Sequence, residues 1–177
     1  MPTVEKTIES RIVYEGPAFD VKKHKVSAKD GIITERDILE NRGGVVIIGI
    51  TETGKVLMVN QYRKAIERNS LELPAGKIEA GEESRVAALR EFEEETGYKA
   101  KEIEFLLSIY TSVGYSNEKL DIYFCKDLRK TETDFDETED IEIIEYDADV
   151  LLKKIFQGEI MDAKTIIGIL YLKDKIY

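Results

Sequence analysis

The sequence has very little cysteine: Cys125 is the only one among 177 residues. A lone thiol excludes an internal disulfide framework and is typical of the reducing cytoplasm. Cys125 ends the apolar run 122–125, so we expect a small core residue rather than a nucleophile. Histidine is equally scarce, and the single His24 lies among lysines in a predicted strand, where we expect no catalytic role.

Long hydrophobic runs are also missing. The longest apolar stretches, such as residues 45–50, are far too short to span a bilayer. Residues 1–6 show no apolar secretion segment. We therefore expect a soluble cytoplasmic protein that has no membrane partner.

Basic residues are outnumbered, with 26 Lys and Arg against 36 Asp and Glu and a net charge of -10. This balance disfavours a nucleic-acid partner, because binding to a phosphate backbone depends on basic side chains. A protein of this charge that handles phosphates must neutralise them locally, with a metal ion or with individual arginines. The hydrophobic content of 42% is sufficient for one packed domain with a small appendage.

The pattern of apolar residues predicts strands mixed with a few helices. A turn at Lys29-Asp30-Gly31 indicates a hairpin. The predicted strands are residues 8–14, 19–27, 32–39, 45–50, 55–62, 102–110, 120–126 and 141–146. The predicted helices are residues 84–96, 148–157 and 163–173, with loops at 63–83 and 131–140. This order indicates an α/β or α+β fold in which helices cover a mixed sheet.

The amino-terminal strands form a separate piece in this prediction. Residues 1–42 give a small antiparallel sheet, and residues 43–177 give the main domain. A piece of about forty residues is too small to be stable alone. It must therefore pack on its own domain or on a partner subunit.

The helix at residues 84–96 has two distinct sides when its residues are placed about 100° apart. The predicted core face carries Val86, Leu89 and Phe92. The opposite side carries Glu91, Glu94 and Glu95. Gly97 follows, and we expect it to end the helix in a left-handed conformation.

Two interpretations of the three carboxylates remain open. They could form a solvated acidic face. Their mutual repulsion, and the helix dipole at the carboxy-terminal end, disfavour them unless a divalent cation offsets both effects. Oxygen ligands without nearby histidine or cysteine favour Mg²⁺, or Mn²⁺ as the alternative, over zinc.

These residues resemble the Nudix box. Gly76 is followed after five residues by Glu82, and after seven more by the segment 90–98, Arg-Glu-Phe-Glu-Glu-Glu-Thr-Gly-Tyr. Every polar and glycine position of the box is matched; Phe92 and Tyr98 stand where aliphatic residues are commoner. The resemblance implies a Nudix-type α/β/α sandwich and a hydrolase that uses Mg²⁺.

The resemblance also implies the roles of individual residues. The metal ligands would be the carbonyl of Ala75 and the carboxylates of Glu91, Glu94 and Glu95, and Glu94 also counts among the catalytic residues. Arg90 and Glu82 would hold this cluster in shape. The catalytic base would come from the acidic loop, with Glu137 as the first choice and Glu139 as the second.

Other stretches resemble the ADP-ribose pyrophosphatase branch of the family, at residues 36–38, 61–64, 72–76 and 162–165. This resemblance implies hydrolysis of ADP-ribose to AMP and ribose 5-phosphate. It also implies a homodimer in which the amino-terminal strands cross to the partner. Val113 stands at the branch's marker proline, which keeps a related nucleoside diphosphate sugar open as the substrate.

The branch further implies the residues that bind substrate. Two arginines are candidates for phosphate or ribose contacts, with surface ion pairs as the alternative: Arg36 and Arg63. A substrate loop would contribute Ser112, Gly114 and Glu118. Two other functions remain open, namely a nucleoside triphosphate pyrophosphohydrolase of the same family and a non-catalytic ADP-ribose-binding module.

Overall fold

The computed structural model describes residues 3–133 and 140–175. The strands of this part are β1 (Lys6–Glu15), β2 (Asp20–Ser27), β3 (Ile33–Glu40), β4 (Gly44–Gly49), β5 (Val56–Arg63), β6 (Arg68–Glu72), β7 (Ala75–Lys77), β8 (Tyr98–Tyr110), β9 (Lys119–Lys130) and β10 (Ile141–Tyr146). The helices are α1 (Ser84–Thr96), α2 (Ala148–Phe156) and α3 (Ala163–Lys175). The chain divides into two units: Met1–Gly43 with Tyr110–Lys119, and Gly44–Ile109 with Leu120–Tyr177.

The first unit is built on an antiparallel sheet with the order β1-β2-β3. The predicted turn joins β2 to β3, where Asp30 and Gly31 adopt φ values of 59° and 76°. Val26 is the only buried residue among the described residues of this unit, and apolar side chains such as Ile8 and Ile12 are more than half exposed. The unit therefore buries almost no core of its own.

The second unit contains two sheets, with the orders β7-β4-β9-β8 and β10-β5-β6. Strand β4 is central in the first of these: it pairs antiparallel with β7 and parallel with β9. Every residue of β4 is buried, as its unbroken apolar run predicts. A strand buried on both faces requires a covering layer on each side.

The two covering layers differ in composition. Val46 and Ile48 join a core cluster that includes Leu151 of α2 and two residues of α3. Val45 and Ile47 join another cluster with α1. Because side chains alternate along a strand, α1 covers one face of β4 and α2 with α3 cover the other. This arrangement confirms the predicted α/β/α layering around a mixed sheet.

Helix α1 has the predicted bounds, but its predicted core face is partly wrong. Val86 is 52% exposed, and the buried apolar residues are Ala87, Ala88 and Phe92. Small alanines bring the helix close to β4, and the Phe92 ring occupies the space that a Cβ on Gly49 would need. The face of α1 that is buried is therefore decided by close packing of its backbone against β4, not by the position of its largest aliphatic side chains.

The main error of the strand prediction lies between residues 63 and 83, where a loop was expected. The structure has the short strands β6 and β7 there, on either side of Pro74. Strands β8 and β9 are also longer than predicted. No helix in the described ranges has the length and apolar character needed to cross a membrane.

Candidate active site

Three of the box carboxylates, Glu91, Glu94 and Glu95, lie on the last turns of α1, which ends at Thr96. Gly97 adopts φ 65° in the left-handed region, and its N–H donates to the carbonyl of Glu93 at 2.8 Å. A residue with a Cβ is strained in this conformation. Glu95 is only 7% exposed although it is a carboxylate. A buried carboxylate is costly unless polar groups or a cation face it.

Arg90 is the centre of the ion pairs at the site. Its guanidinium binds Glu82 through Nε at 3.0 Å and Nη2 at 2.9 Å. Nη1 donates to Glu91 at 2.9 Å and to Glu94 at 3.0 Å. Nη2 also donates to the carbonyl of Lys77 at 3.1 Å. The forked guanidinium therefore ties α1 to the strand and loop that precede it.

These contacts shift the pKa of both main partners. The hydrogen bonds to Glu82, followed by those to the helix carboxylates, raise the pKa of Arg90 against the effect of burial. The hydrogen bonds from Arg90 lower the pKa of Glu82. Both groups are thus held in their charged forms, and three box carboxylates share one cation.

The segment just before the helix approaches the carboxylates closely. The N–H of Ala75 donates to Oε2 of Glu95 at 3.0 Å. A Cβ on Gly76 would overlap the carboxyl group of Glu91, so glycine is required for this approach. The structure thus brings Ala75 and Gly76 against Glu95 and Glu91, two of the three helix carboxylates predicted to bind the metal.

The donor set fits a hard divalent cation, because it consists of carboxylate and main-chain oxygens only. Within residues 3–133 and 140–175, no three acidic, histidine or cysteine side chains are already arranged as ligands around one point. The carboxylates face other partners instead: Arg90 binds Glu91 and Glu94, and Ala75 binds Glu95. A cation at this site would exchange contacts with Arg90.

A cleft lies beside this cluster and is lined by Arg90, Glu93, Glu94 and Glu132. Glu132 is not one of the predicted site residues, although it lies in the predicted acidic loop at residues 131–140. Glu137 and Glu139, the predicted bases, lie in the same loop but outside the described residues. The acidic loop therefore reaches the cleft through Glu132.

Arg63 is part of an ion-pair network around the buried Glu72. Its guanidinium binds Glu72 through Nε at 2.9 Å and Nη2 at 2.8 Å. Lys164 also binds Glu72 at 2.5 Å, and it binds Asp162 at 3.0 Å. Burial opposes the ionisation of Glu72, but the hydrogen bonds from Arg63 and the charge of Lys164 lower its pKa to about 2. The structure therefore places Arg63 against a carboxylate.

The other predicted substrate-binding residues belong to the first unit. Arg36 donates to Glu5 at 2.6 Å and to the carbonyl of Glu35 at 2.9 Å, with its side chain 43% exposed. Glu118 accepts hydrogen bonds from Asn41 at 2.6 Å and Thr111 at 2.7 Å.

The loop that precedes Glu118 is a turn closed on the carbonyl of Ser112, which accepts from the N–H groups of Tyr115 and Ser116. Apart from its chain neighbours, none of the residues that the structure describes lies within 4 Å of the position that a Cβ on Gly114 would take, and Val113 is 81% exposed. The loop keeps its backbone hydrogen bonds with valine at this position. Its open side leaves Val113 and Gly114 accessible.

Cys125 is buried, as its sequence context predicts. Burial raises the pKa of its thiol to about 12, so the protonated form persists at neutral pH. A protonated buried thiol is a poor nucleophile. The chemistry of the site is therefore that of carboxylates and an arginine.

Comparison with known proteins agrees with this geometry. The NUDIX domain model matches residues 40–162, and the chain therefore belongs to the Nudix family and is a Nudix hydrolase. Members of this family generally use divalent metal ions. This class accounts for the oxygen-only cluster at the end of α1.

Individual relatives cover nearly the whole chain. It is 40% identical to the methanol dehydrogenase activator of Bacillus methanolicus over 171 residues, which is 96% of this chain and 92% of that protein. It is 38% identical to the ADP-ribose pyrophosphatase of Bacillus subtilis (strain 168) over 173 residues, which is 97% of this chain and 94% of that protein. The crystal structure of an ADP compounds hydrolase shares the fold, with a TM-score of 0.87, 20% identity, and 99% and 97% of the two chains covered.

Proposed function

We propose that this protein hydrolyses the diphosphate of ADP-ribose to AMP and ribose 5-phosphate, with Mg²⁺ as its metal. The observation that carries this proposal is the complete carboxylate cluster around Arg90, with the buried Glu95 facing Ala75. The likeness to the Bacillus subtilis ADP-ribose pyrophosphatase over 97% of the chain supports the choice of substrate. A related nucleoside diphosphate sugar is the alternative, because Val113 replaces the proline expected for this branch.

The metal would be held by the carbonyl of Ala75 and by Glu91, Glu94 and Glu95. When bound, Mg²⁺ (or Mn²⁺) would lower the pKa of water and neutralise charge on the diphosphate oxygens. This assignment answers the problem of a protein with net charge -10 that handles phosphates. It also gives the buried Glu95 a cation to face.

Arg90 and Glu82 orient the cluster in this proposal. Their bidentate pair fixes the guanidinium, and the remaining nitrogen contacts Glu91 and Glu94. One oxygen each of Glu91 and Glu94 is thereby hydrogen-bonded, which fixes the orientation of both carboxylates. Partners that hold ligands in this way commonly contribute about 10- to 100-fold to metal affinity or activity.

The reaction requires a group that accepts a proton from water. The oxygen of water forms a bond to one phosphorus of the diphosphate, and the bond from that phosphorus to the bridging oxygen breaks. We assign the proton to Glu137, or to Glu139 as the second choice, in the acidic loop whose Glu132 lines the cleft. The products are two monophosphates.

We assign substrate binding to Arg36, Arg63, Glu118, Ser112 and Gly114. The Nε and Nη2 atoms of Arg63 already bind Glu72, so Arg63 would contact phosphate through the other edge of its guanidinium, at Nη1. Within the described part of the chain Arg36 makes one ion pair, the exposed pair with Glu5, which costs little to exchange for a phosphate or a ribose hydroxyl. Arg36 is therefore the more available of the two cations.

We also propose a cytoplasmic homodimer. The first unit buries only Val26 among its described residues and exposes several apolar side chains, so a second copy of the chain is a suitable cover for it. The single buried free cysteine fits a reducing compartment. Sedimentation equilibrium at micromolar concentration tests the oligomeric state, and a monomer would contradict it.

Product analysis tests the main proposal. Each member of a panel of ADP-ribose, other nucleoside diphosphate sugars and nucleoside triphosphates is incubated with the protein and Mg²⁺ in ¹⁸O-labelled water. ³¹P NMR then identifies the products and the phosphorus that carries the label. AMP and ribose 5-phosphate from ADP-ribose support the proposal, and pyrophosphate from a triphosphate would indicate a triphosphate pyrophosphohydrolase.

A non-catalytic role has its own signature in this experiment. Calorimetric binding of ADP-ribose without any hydrolysis in Mg²⁺ would indicate a binding module. The presence of all box acids argues against that outcome, because hydrolysis depends on them. Absence of turnover across the panel by folded protein would contradict the proposed function.

A second candidate role rests on the 40% identity to the Bacillus methanolicus methanol dehydrogenase activator. The protein would then raise the rate of a partner dehydrogenase. Adding it to that methanol dehydrogenase and measuring methanol oxidation, with Glu95→Gln as the comparison, tests this role. An unchanged rate would contradict it, and an effect that survives Glu95→Gln would separate it from hydrolysis.

A further inference from the structure

The segment 72–75, which joins β6 to β7, is held at each of its residues. Glu72 is bound by Arg63 and Lys164, as described above. The carbonyl of Pro74 accepts from the N–H of Ile47 at 2.8 Å. The N–H of Ala75 binds Glu95. The fourth contact is made by Leu73, whose N–H donates to Oγ1 of Thr165 at 2.9 Å.

The hydroxyl of Thr165 has a fixed direction. It donates to Oδ2 of Asp162 at 2.6 Å, and it accepts from the N–H of Leu73. The carboxylate can only accept and the N–H can only donate, so both roles of the hydroxyl are settled. Thr165 is fully buried, and this places the pair of hydrogen bonds out of competition with water.

Asp162 is fixed as well. It precedes the first residue of α3, and its Oδ2 accepts from the N–H of Thr165 at 3.0 Å, as an amino-terminal helix cap does. The same oxygen binds Lys164 at 3.0 Å, and Lys164 binds Glu72. The start of α3 is thereby connected to both Glu72 and Leu73.

The next turn of α3 is shaped to the same segment. Gly168 lies three residues after Thr165, on the same side of the helix. A Cβ at this position would lie 2.5 Å from Cδ1 of Leu73. The helix thus offers Leu73 a hydroxyl for its N–H and free space for its side chain.

We propose that Thr165 and Asp162 are positioning residues that fix segment 72–75, and with it the main-chain carbonyl of Ala75, for metal binding and hydrolysis. This inference rests on the proposed function, because Ala75 matters there as a metal ligand. Leu73 is two residues from Ala75, and Ala75 is bonded to Glu95. A shift of Leu73 therefore moves Ala75. This displaces the Ala75 carbonyl, a proposed ligand, and the Ala75 N–H that binds the ligand Glu95.

Three variants of the full chain test this proposal. Thr165→Val keeps the shape of the side chain and removes the hydroxyl; Thr165→Ser keeps the hydroxyl. Thr51→Val is the matched control, since Thr51 makes hydrogen bonds in the turn after β4, to Thr53 and Lys55. Mn²⁺ binding to the free protein is measured by electron paramagnetic resonance, and kcat and KM for ADP-ribose are measured with Mg²⁺.

We expect Thr165→Val to raise the Kd for Mn²⁺ about tenfold or more and to lower kcat by a similar factor, with little change in KM. Amide exchange in segment 72–75 should also accelerate. Thr165→Ser and Thr51→Val should remain within about threefold of the unmodified protein in every measurement. Unchanged Mn²⁺ affinity in folded Thr165→Val would overturn the proposal, as would an equal loss in Thr165→Ser.

The Mn²⁺ titration separates this inference from the proposed function. A native protein that binds Mn²⁺ but does not cleave ADP-ribose contradicts the proposed substrate, while the variants still test the positioning role. If Thr165→Val does not fold, Asp162→Asn removes the charge that orients the hydroxyl and should weaken Mn²⁺ binding about threefold or more. Unchanged Mn²⁺ affinity in that variant would then overturn the inference.

Discussion

The main-chain N–H of Ala75 donates a hydrogen bond to Oε2 of Glu95 at 3.0 Å, across 20 residues of sequence. The residue before the box glycine and the last carboxylate of the box are thereby joined. One carboxylate oxygen of Glu95 is occupied by this bond. A substitution that keeps this hydrogen bond but removes the charge tests whether Glu95 is also a metal ligand.

Glu95→Gln is such a change. The side-chain oxygen of glutamine still accepts from Ala75, so we expect the melting temperature to change little. The lost charge should lower kcat for ADP-ribose by about 100-fold or more, because a metal ligand is removed. Steady-state kinetics over a range of Mg²⁺ concentrations measure the effect.

Glu83→Gln is the matched control for Glu95→Gln. Glu83 is the exposed residue at the start of α1, and its side chain makes no capping hydrogen bond. Its replacement should leave kcat within about twofold of the unmodified protein. Full activity of folded Glu95→Gln would remove this carboxylate from the proposed metal site.

Gly76→Ala tests the close approach of the box glycine to Glu91. The added Cβ would overlap the carboxyl group of Glu91, so we expect about 1–3 kcal/mol of destabilisation and a large loss of kcat. Urea unfolding measures the first effect. In a Glu91→Ala background the space is free, and the same substitution should cost less than about 0.5 kcal/mol. Equal costs in the two backgrounds would show that the overlap is not the cause.

Most of this local geometry could be predicted from the sequence, because it depends on short spacings. The bounds of α1, the helix end at Gly97 and the placement of Glu91, Glu94 and Glu95 on the last turns of the helix follow from helical periodicity and the box. The pairing of Arg90 with box glutamates follows from the resemblance to the box. The predicted burial of Val86 is wrong. Helical periodicity indicates only which side of the helix is apolar, whereas the small residues Ala87, Ala88 and Gly49 decide how closely α1 approaches β4.

Long-range contacts could not be predicted in the same way. The partners of Glu72 depend on the pairing of β5 with β6 and on Lys164, which is 92 residues away. Strands β6 and β7 are short and flank a proline, so the alternation of apolar and polar residues along them is too brief to detect. An ion pair of Arg63 was left open as the alternative to a substrate contact, but its partner Glu72 could not be identified from the sequence, although both residues lie in stretches that resemble the family branch.

Glu72→Gln should destabilise the protein by an amount that depends on pH, because Gln cannot supply the contribution of the ionised carboxylate. The pKa of Glu72 is lowered to about 2 in the folded protein from an ordinary value of 4.5. Its ionised form therefore stabilises the fold fully above pH 4.5, and this contribution is lost as the pH falls toward 2. We expect the variant to be about 2 kcal/mol less stable at pH 7, with the difference narrowing below pH 4.5.

Urea unfolding of both proteins between pH 7 and pH 3 checks this expectation. Glu67→Gln is the control, because Glu67 pairs with Lys64 on the surface, where both side chains are mostly exposed. That variant should show no comparable narrowing. A constant difference between Glu72→Gln and the unmodified protein across this range would contradict the lowered pKa.

Glu137→Gln should identify the base. If Glu137 accepts the proton of water, its loss should lower kcat by about 100-fold or more and remove the acidic limb of the pH–rate profile. The affinity for Mn²⁺ should not change, because the residue is not a proposed ligand. Glu139→Gln serves as the comparison, and a larger effect there would move the assignment to Glu139. Normal rates in both variants would contradict a base in this loop.

Arg36→Ala separates substrate binding from a surface ion pair. Arg36 binds Glu5 at 2.6 Å with both side chains well exposed, and such pairs stabilise proteins little. We therefore expect an unchanged melting temperature and a KM for ADP-ribose that is raised about tenfold, as the loss of a charge-assisted contact predicts. Glu5→Gln breaks the same ion pair but keeps the guanidinium, so its KM should stay the same or fall. An equal rise of KM in both variants would assign the effect to the ion pair, and no rise in Arg36→Ala would remove Arg36 from the substrate site.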